Sequence, residues 1–143
     1  MYPDLMLIPM RDELTRAGIE ELRTAAEVDA VLGRKEGSVL VVVNSVCGCA
    51  AGRMRPAVRL AMEHPHLPDR KVSVFAGQDR DATERARSYF AEYPSSSPAI
   101  ALLQNGELVF MLQRSDIEGR DAEDIAEDLK SAFNRYCRLK AAV

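Results

Sequence analysis

No run of apolar residues in this 143-residue chain approaches the ~20 that a helical membrane span requires. The first residues, Met1-Tyr2-Pro3-Asp4-Leu5, lack the basic start and long apolar core of a secretion signal. Both absences point to the cytoplasm and away from a membrane partner. Positive charge is not in surplus either. The formal net charge of −3 argues against nucleic acid as the main partner. Cysteine is scarce, with three residues, and histidine scarcer, with two. In a chain without an export signal, so few cysteines suggest catalysis or metal binding before a structural disulfide framework. His64 and His66 flank Pro65, but no cysteine or further histidine lies nearby in sequence to complete a ligand set. No bound metal is therefore expected. No repeat, low-complexity tract or linker divides the chain, so residues 1–143 should form one domain.

What remains has the balance of an ordinary globular protein, 47% apolar and 29% charged. Met10 to Gly18 reads as a short helix. Thr24-Ala25-Ala26-Glu27 is a capping box, since hydroxyl and carboxylate each satisfy a free backbone donor. It opens a helix through Val28, Val31 and Leu32 that Gly33 closes. Val39 to Asn44 is apolar without alternation, as a strand buried on both faces should be. A helix from about Cys49 to Glu63 contains Pro56, which should bend or break it. Lys71 to Ala76 is a second strand. Asp81-Ala82-Thr83-Glu84 resembles a capping box for a helix to about Ala91. Ala99 to Leu103 is a third strand, and Asn105-Gly106 marks a two-residue hairpin into a fourth, Glu107 to Gln113. A last helix from about Asp121 carries Ile125, Leu129, Ala132, Phe133 and Tyr136 on one face.

Strands separated by helices favour parallel pairing, and the hairpin adds an antiparallel pair. The expected fold class is α/β, a mixed sheet of about four strands with helices on both faces and an N-terminal helical extension. That is the thioredoxin architecture.

The chemistry concentrates in Cys47-Gly48-Cys49, which joins the buried strand to the next helix. Free amides and the positive end of a helix dipole stabilise a thiolate there. Residues two apart in a helix point to nearly opposite sides. A Cys47–Cys49 disulfide therefore needs Cys47 on the turn, with Gly48 supplying backbone freedom. Such a small ring is strained, and a strained, exposed disulfide exchanges readily. Cys47, nearer the turn, is the expected nucleophile, and Cys49 the resolving thiol. Arg53 and Arg55 add charge that would lower a thiol pKa or hold an anionic substrate. The same triplet also fits two inert buried cysteines or part of a metal site. Cys137 on the last helix reads as a packing residue, with a third redox role as the alternative. Tyr93-Pro94-Ser95-Ser96-Ser97-Pro98 precedes the third strand. A cis-Pro98 facing the redox turn would leave the Ser97 backbone free to pair with a substrate.

The chain resembles the bacilliredoxins, thioredoxin-like bacterial proteins with a Cys-Gly-Cys motif. The similarity spans nearly the full length. Pro9-Met10-Arg11-Asp12-Glu13-Leu14, Val42 through Gly52, Val74 through Asp79, Ser96-Ser97-Pro98, Ile117 through Arg120 and the terminal Tyr136-Cys137 carry it. Ser95 departs from the pattern, standing where the family usually has a second proline, which loosens the loop. The resemblance implies removal of bacillithiol from mixed disulfides on other proteins, with disulfide isomerase or reductase activity in some members. It implies that Cys47 attacks and takes the small thiol, and that Cys49 or a second bacillithiol resolves the adduct. Gly48, Arg53, Ser97 and Pro98 form the expected substrate-binding set. The expected partners are thiol-modified or disulfide-bonded proteins and a low-molecular-weight thiol as co-substrate, with no further cofactor and a homodimer left open. The competing reading is a non-enzymatic metal-binding module built on Cys47 and Cys49.

Overall fold

The computed structural model describes residues 2–139. The ends of the expected 1–143 domain, residue 1 and residues 140–143, lie outside the described residues. Five strands form one mixed sheet, β1 (Glu20–Glu21), β2 (Ser38–Asn44), β3 (Arg70–Phe75), β4 (Ala99–Gln104) and β5 (Glu107–Leu112), in the order β1-β3-β2-β4-β5. β1 and β2 run parallel to β3, and β4 is antiparallel to both β2 and β5.

Every residue of β2 is buried. Its alternate side chains serve two cores, because strand neighbours point to opposite faces. Leu40 and Val42 enter one with Ile100, Leu102, Met54, Val58, Leu129 and Phe133. Val39, Val41 and Val43 enter the other with Val28, Val72, Val74 and Ala86. The helices divide accordingly. α3 (Arg55–Ala61) and α6 (Ala122–Tyr136) cover the first face, while α2 (Ala25–Leu32) and α4 (Arg80–Ser88) cover the second. A short α5 (Arg114–Ile117) follows β5.

Several local signals operate as read. Thr24 and Glu27 make the reciprocal capping box. Asn105 and Gly106, at φ 51° and 85°, form the hairpin turn. Pro56 marks a junction: the chain makes one π turn over Ala50–Met54 before α3 begins. Proline lacks an N–H and its ring crowds the carbonyl four residues back, and the wider turn accommodates it.

Other elements differ from the sequence expectation. α1 spans Asp4–Thr15 instead of Met10 to Gly18, and it runs through Pro9. The carbonyl that Pro9 leaves unbonded belongs to exposed Leu5 in the first turn, where water satisfies it at little cost. The helix is held by Leu7, Arg11 and Leu14, buried on one face. α4 starts at Arg80 with Asp79 in the cap position, ahead of the expected Asp81. The Asp79 carboxylate makes no cap bond because Arg11 takes it at 2.7 Å and Arg23 at 3.6 Å. The strand β1 raises the count to five. Gly33 closes α2 in a right-handed conformation.

Gly106 tests the hairpin. It has positive φ, and a Cβ there would lie 2.8 Å from Lys35 Cγ. Gly106→Ala should lower stability by about 1–2 kcal/mol in urea unfolding. Gly52→Ala, where a Cβ meets nothing within 4 Å, should lower it by none. Equal stability of the two variants would contradict the assigned turn.

Candidate active site

The end of β2 is anchored before the cysteines begin. Asn44 is buried, and its Oδ1 accepts the Ser45 N–H at 2.9 Å and Arg55 Nη1 at 3.0 Å. Its Nδ2 donates to the Met10 carbonyl of α1 at 3.2 Å. Arg55 is 2% exposed. Its Nη1 also donates to the Ser45 carbonyl at 2.8 Å, and its Nε donates to Glu13 of α1 at 3.2 Å. The strand end, the following turn and α1 are thus tied to one guanidinium.

Cys47 lies on the turn, and helical backbone begins at Gly48. The Cys47 carbonyl accepts the N–H groups of Ala50 and Ala51 at 3.1 and 3.2 Å, which starts the helix. Ser45 Oγ accepts the Cys47 N–H at 3.3 Å. All three cysteines are free thiols, with Cys47 and Cys49 partly exposed. Burial opposes the Cys47 thiolate. The Ser45 hydroxyl, the backbone amides of Ala50 and Cys49, and the charge of Arg114 outweigh it, and the pKa falls below the ordinary thiol value. This is the thiolate-stabilising helix start expected from the sequence.

The antiparallel register places the second wall. Val43 pairs with Ala99, so Ser97 and Pro98 lie beside the chain leaving β2 toward Cys47. The Ser97–Pro98 peptide is cis. Ile100 pairs with Leu112, which brings Arg114 to the same end of the sheet. Arg114 N–H donates to Ser96 Oγ at 3.3 Å, and its Nη1 donates to the Ser97 carbonyl at 3.2 Å. Arg87 Nη2 holds the Ser96 carbonyl at 3.1 Å.

These contacts revise three expectations. The Ser97 carbonyl already accepts one hydrogen bond, from Arg114. The cation acting on Cys47 is Arg114, which sequence reasoning missed, while Arg55 is committed to Asn44, Ser45 and Glu13. Arg53 donates to the Arg120 carbonyl. Gly48 has no positive φ, and a Cβ there would meet nothing within 4 Å, so the thiol form does not use its backbone freedom. Ser45 and Arg114 had no local signature. Arg114 stands 67 residues from Cys47 in sequence (114 − 47), and only strand register joins them.

Cys137 is buried at the far end of β2, beside Ser38 and Asp69. Burial raises its pKa and the Asp69 carboxylate adds to this, against the Ser38 hydroxyl. The seven residues of β2 span about 20 Å at ~3.3 Å each, so Cys137 cannot reach the Cys47 turn in the fold. His64 and His66 bind Asn134 and the Cys137 carbonyl, at 2.7 and 3.2 Å. Among the described residues no three His, Cys, Asp or Glu side chains gather as a metal site, and no helix is long and apolar enough to cross a membrane.

The backbone matches solved thioredoxins. Fasciola hepatica thioredoxin aligns with a TM-score of 0.56 at 18% identity, over 82% of this chain and 99% of that one. Oxidised Plasmodium falciparum thioredoxin aligns at 0.57 and 20%, over 84% and 99%. These likenesses establish the thioredoxin fold. Joined to a Cys-Gly-Cys pair at the helix following the central strand, it defines a thiol–disulfide oxidoreductase. A family model described as disulphide isomerase matches residues 2–137. A bacilliredoxin of Koribacter versatilis is 59% identical, covering 99% of this chain and 97% of its own. Bacilliredoxins of Salinibacter ruber and Shouchella clausii are 54% and 49% identical, covering 95% and 96% of this chain and 81% and 94% of their own. This chain belongs to the bacilliredoxin family.

The thiolate environment is open to a direct test. Native Cys47 should be alkylated by iodoacetamide with a midpoint below that of an ordinary thiol. Ser45→Ala should raise that midpoint and slow labelling near neutral pH several-fold, as loss of one hydrogen bond predicts. An unchanged profile would remove Ser45 from the site. Cys137→Ser should leave the Cys47 profile unchanged while lowering the urea midpoint. A shifted Cys47 profile would show coupling that the distance excludes.

Proposed function

We propose that this protein removes a low-molecular-weight thiol from mixed disulfides on cytoplasmic proteins, with bacillithiol as the first candidate. The observation carrying this reading is the partly exposed Cys47, its thiolate favoured by Ser45, two helix-start amides and Arg114. The name bacilliredoxin, shared by relatives over nearly the whole chain, supports the choice of thiol.

The Cys47 thiolate attacks the sulfur contributed by the small thiol. A new Cys47–S–S–R bond forms, the mixed disulfide breaks, and the target protein's thiolate leaves with the electron pair. Resolution has two routes. Cys49 attacks the Cys47 sulfur, which expels the small thiolate and leaves a Cys47–Cys49 disulfide for an external thiol to reduce. Alternatively a second small thiol attacks the adduct, leaves as the symmetric disulfide and returns Cys47 directly. The second route suits the observed backbone, because Cys49 is already helical and a ring to Cys47 requires that first turn to open. Gly48, exposed and uncrowded, is where opening is easiest. Ser97 and Pro98 complete the proposed substrate wall.

A second reading, isomerase or reductase action on protein disulfides, is supported by the description of the matching family model.

Intact mass spectrometry with a bacillithiol-modified test protein decides between these. The wild type should release the free test protein, Cys47→Ser should form no adduct, and Cys49→Ser should accumulate the Cys47 adduct or release it slowly. Release by folded Cys47→Ser would overturn the assigned nucleophile. No release by wild type, with activity on a scrambled-disulfide protein, would transfer the assignment to the isomerase reading.

A further inference from the structure

The carbonyl of Ser97, at the rim of the Cys47 turn, already accepts one hydrogen bond. Arg114 Nη1 donates to it at 3.2 Å, and Nε pairs with Glu118 on the other side. Its Nη2 has no partner among the described residues, and the side chain is 45% exposed. The guanidinium therefore presents free N–H groups at the rim of the Cys47 turn. Its charge reaches both Cys47 and Cys49.

The surroundings are unevenly charged. Arg87 grips the Ser96 carbonyl from the opposite side, and its buried Nε has no partner. Arg53 bonds only a backbone carbonyl. Arg120 is neutralised by Asp128 at 2.7 Å. Among the described residues, of Arg53, Arg87 and Arg114 only Arg114 has a carboxylate partner, Glu118, and that pair is half-exposed. A surface pair of this kind is weak and exchanges readily with another carboxylate. A guanidinium offers a carboxylate two parallel N–H donors in fixed geometry, which an uncharged group cannot match.

We propose that Arg114 is a specificity residue that recognises a carboxylate on the small-thiol half of the mixed disulfide, so that the site favours anionic small thiols over uncharged ones. This rests on the reading that the substrate is a small-thiol mixed disulfide. Two features give it direction. A carboxylate can use the Arg114 nitrogens that remain free while Nη1 keeps its bond to the Ser97 carbonyl. An anion held by Arg114 also sits within the field of the cation nearest Cys47, which brings the sulfur of its own disulfide close to the attacking thiolate.

The test compares two small disulfides that react with Cys47 whether or not the protein acts on mixed disulfides in the cell. One is the dianionic dithiobis(nitrobenzoate) and the other is neutral dithiodipyridine. In each case the Cys47 thiolate forms a bond to one reagent sulfur, the reagent S–S bond breaks, and the aromatic thiolate departs. Initial rates are measured by stopped flow with the full chain, at a pH where Cys47 is fully thiolate in every variant by its ultraviolet absorbance. Arg114→Gln should cut the anionic rate about tenfold relative to the neutral rate. Arg114→Lys should recover part of the preference, since the charge remains and the fork is lost. Glu118→Gln should raise the anionic rate about threefold by freeing Nε. The preference should shrink in ~1 M salt, where surface charges are screened.

Equal slowing of both reagents would overturn the proposal and leave Arg114 acting only on the thiolate. No change with either reagent would overturn it as well. Failure of the bacillithiol assay with the charge preference intact would count against the substrate assignment and not against Arg114.

Discussion

The buried guanidinium of Arg55 is the constraint on which the site depends. A charge taken from water loses several kcal/mol of solvation, so it persists only with a counter-charge and with its donors satisfied. Here Glu13 supplies the charge, and Asn44 and the Ser45 carbonyl accept from Nη1. These partners belong to α1, to the end of β2 and to the segment leading into Cys47. Satisfying one cation therefore fixes the approach of the chain to Cys47. Lysine would not substitute, because a single ammonium lacks the planar fork that spans these acceptors.

With that frame fixed, the two ends of β2 give cysteine two chemistries. At one end Cys47 meets a hydroxyl, helix-start amides and a cation, and its thiolate is favoured. At the other end Cys137 meets an apolar core and a carboxylate, and its thiol is favoured. The residue type is the same and only the surroundings differ. Lowering a thiol pKa also weakens the thiolate as a nucleophile, so the useful value is moderate. Partial burial, which opposes the thiolate at Cys47, keeps the shift from running further.

Much of the fold was legible in the chain because its signals are local. The uninterrupted Val39–Asn44 run, the Thr24–Glu27 capping box and the Asn105-Gly106 turn each act within a few residues, and each forms where read. The expected cis-Pro98 is present beside the Cys47 turn. The strand β1 was not legible, because two glutamates carry no apolar pattern and are extended only by pairing with β3. The cap of α4 was expected at Asp81 and falls at Asp79, whose carboxylate makes no cap bond because the distant Arg11 takes it. The charged half of the site was read least well. Arg55 and Arg53 stand near Cys47 in sequence, but one points into the protein and the other to a carbonyl of Arg120.

Sequence by itself determined the order of elements, the two-faced burial of β2 and the position of Cys47 and Cys49 at the helix that follows it. These depend on side-chain periodicity, capping and turn chemistry between near neighbours. Tertiary structure alone decided which cation faces Cys47, that Arg114 bonds the Ser97 carbonyl, and that Cys137 stands a strand's length away. Those outcomes follow from the antiparallel register of β2, β4 and β5, which brings Ser97 and Arg114 to one end of the sheet. Charges act through space over a few ångströms, and no spacing along the chain encodes which of its arginines will be that close.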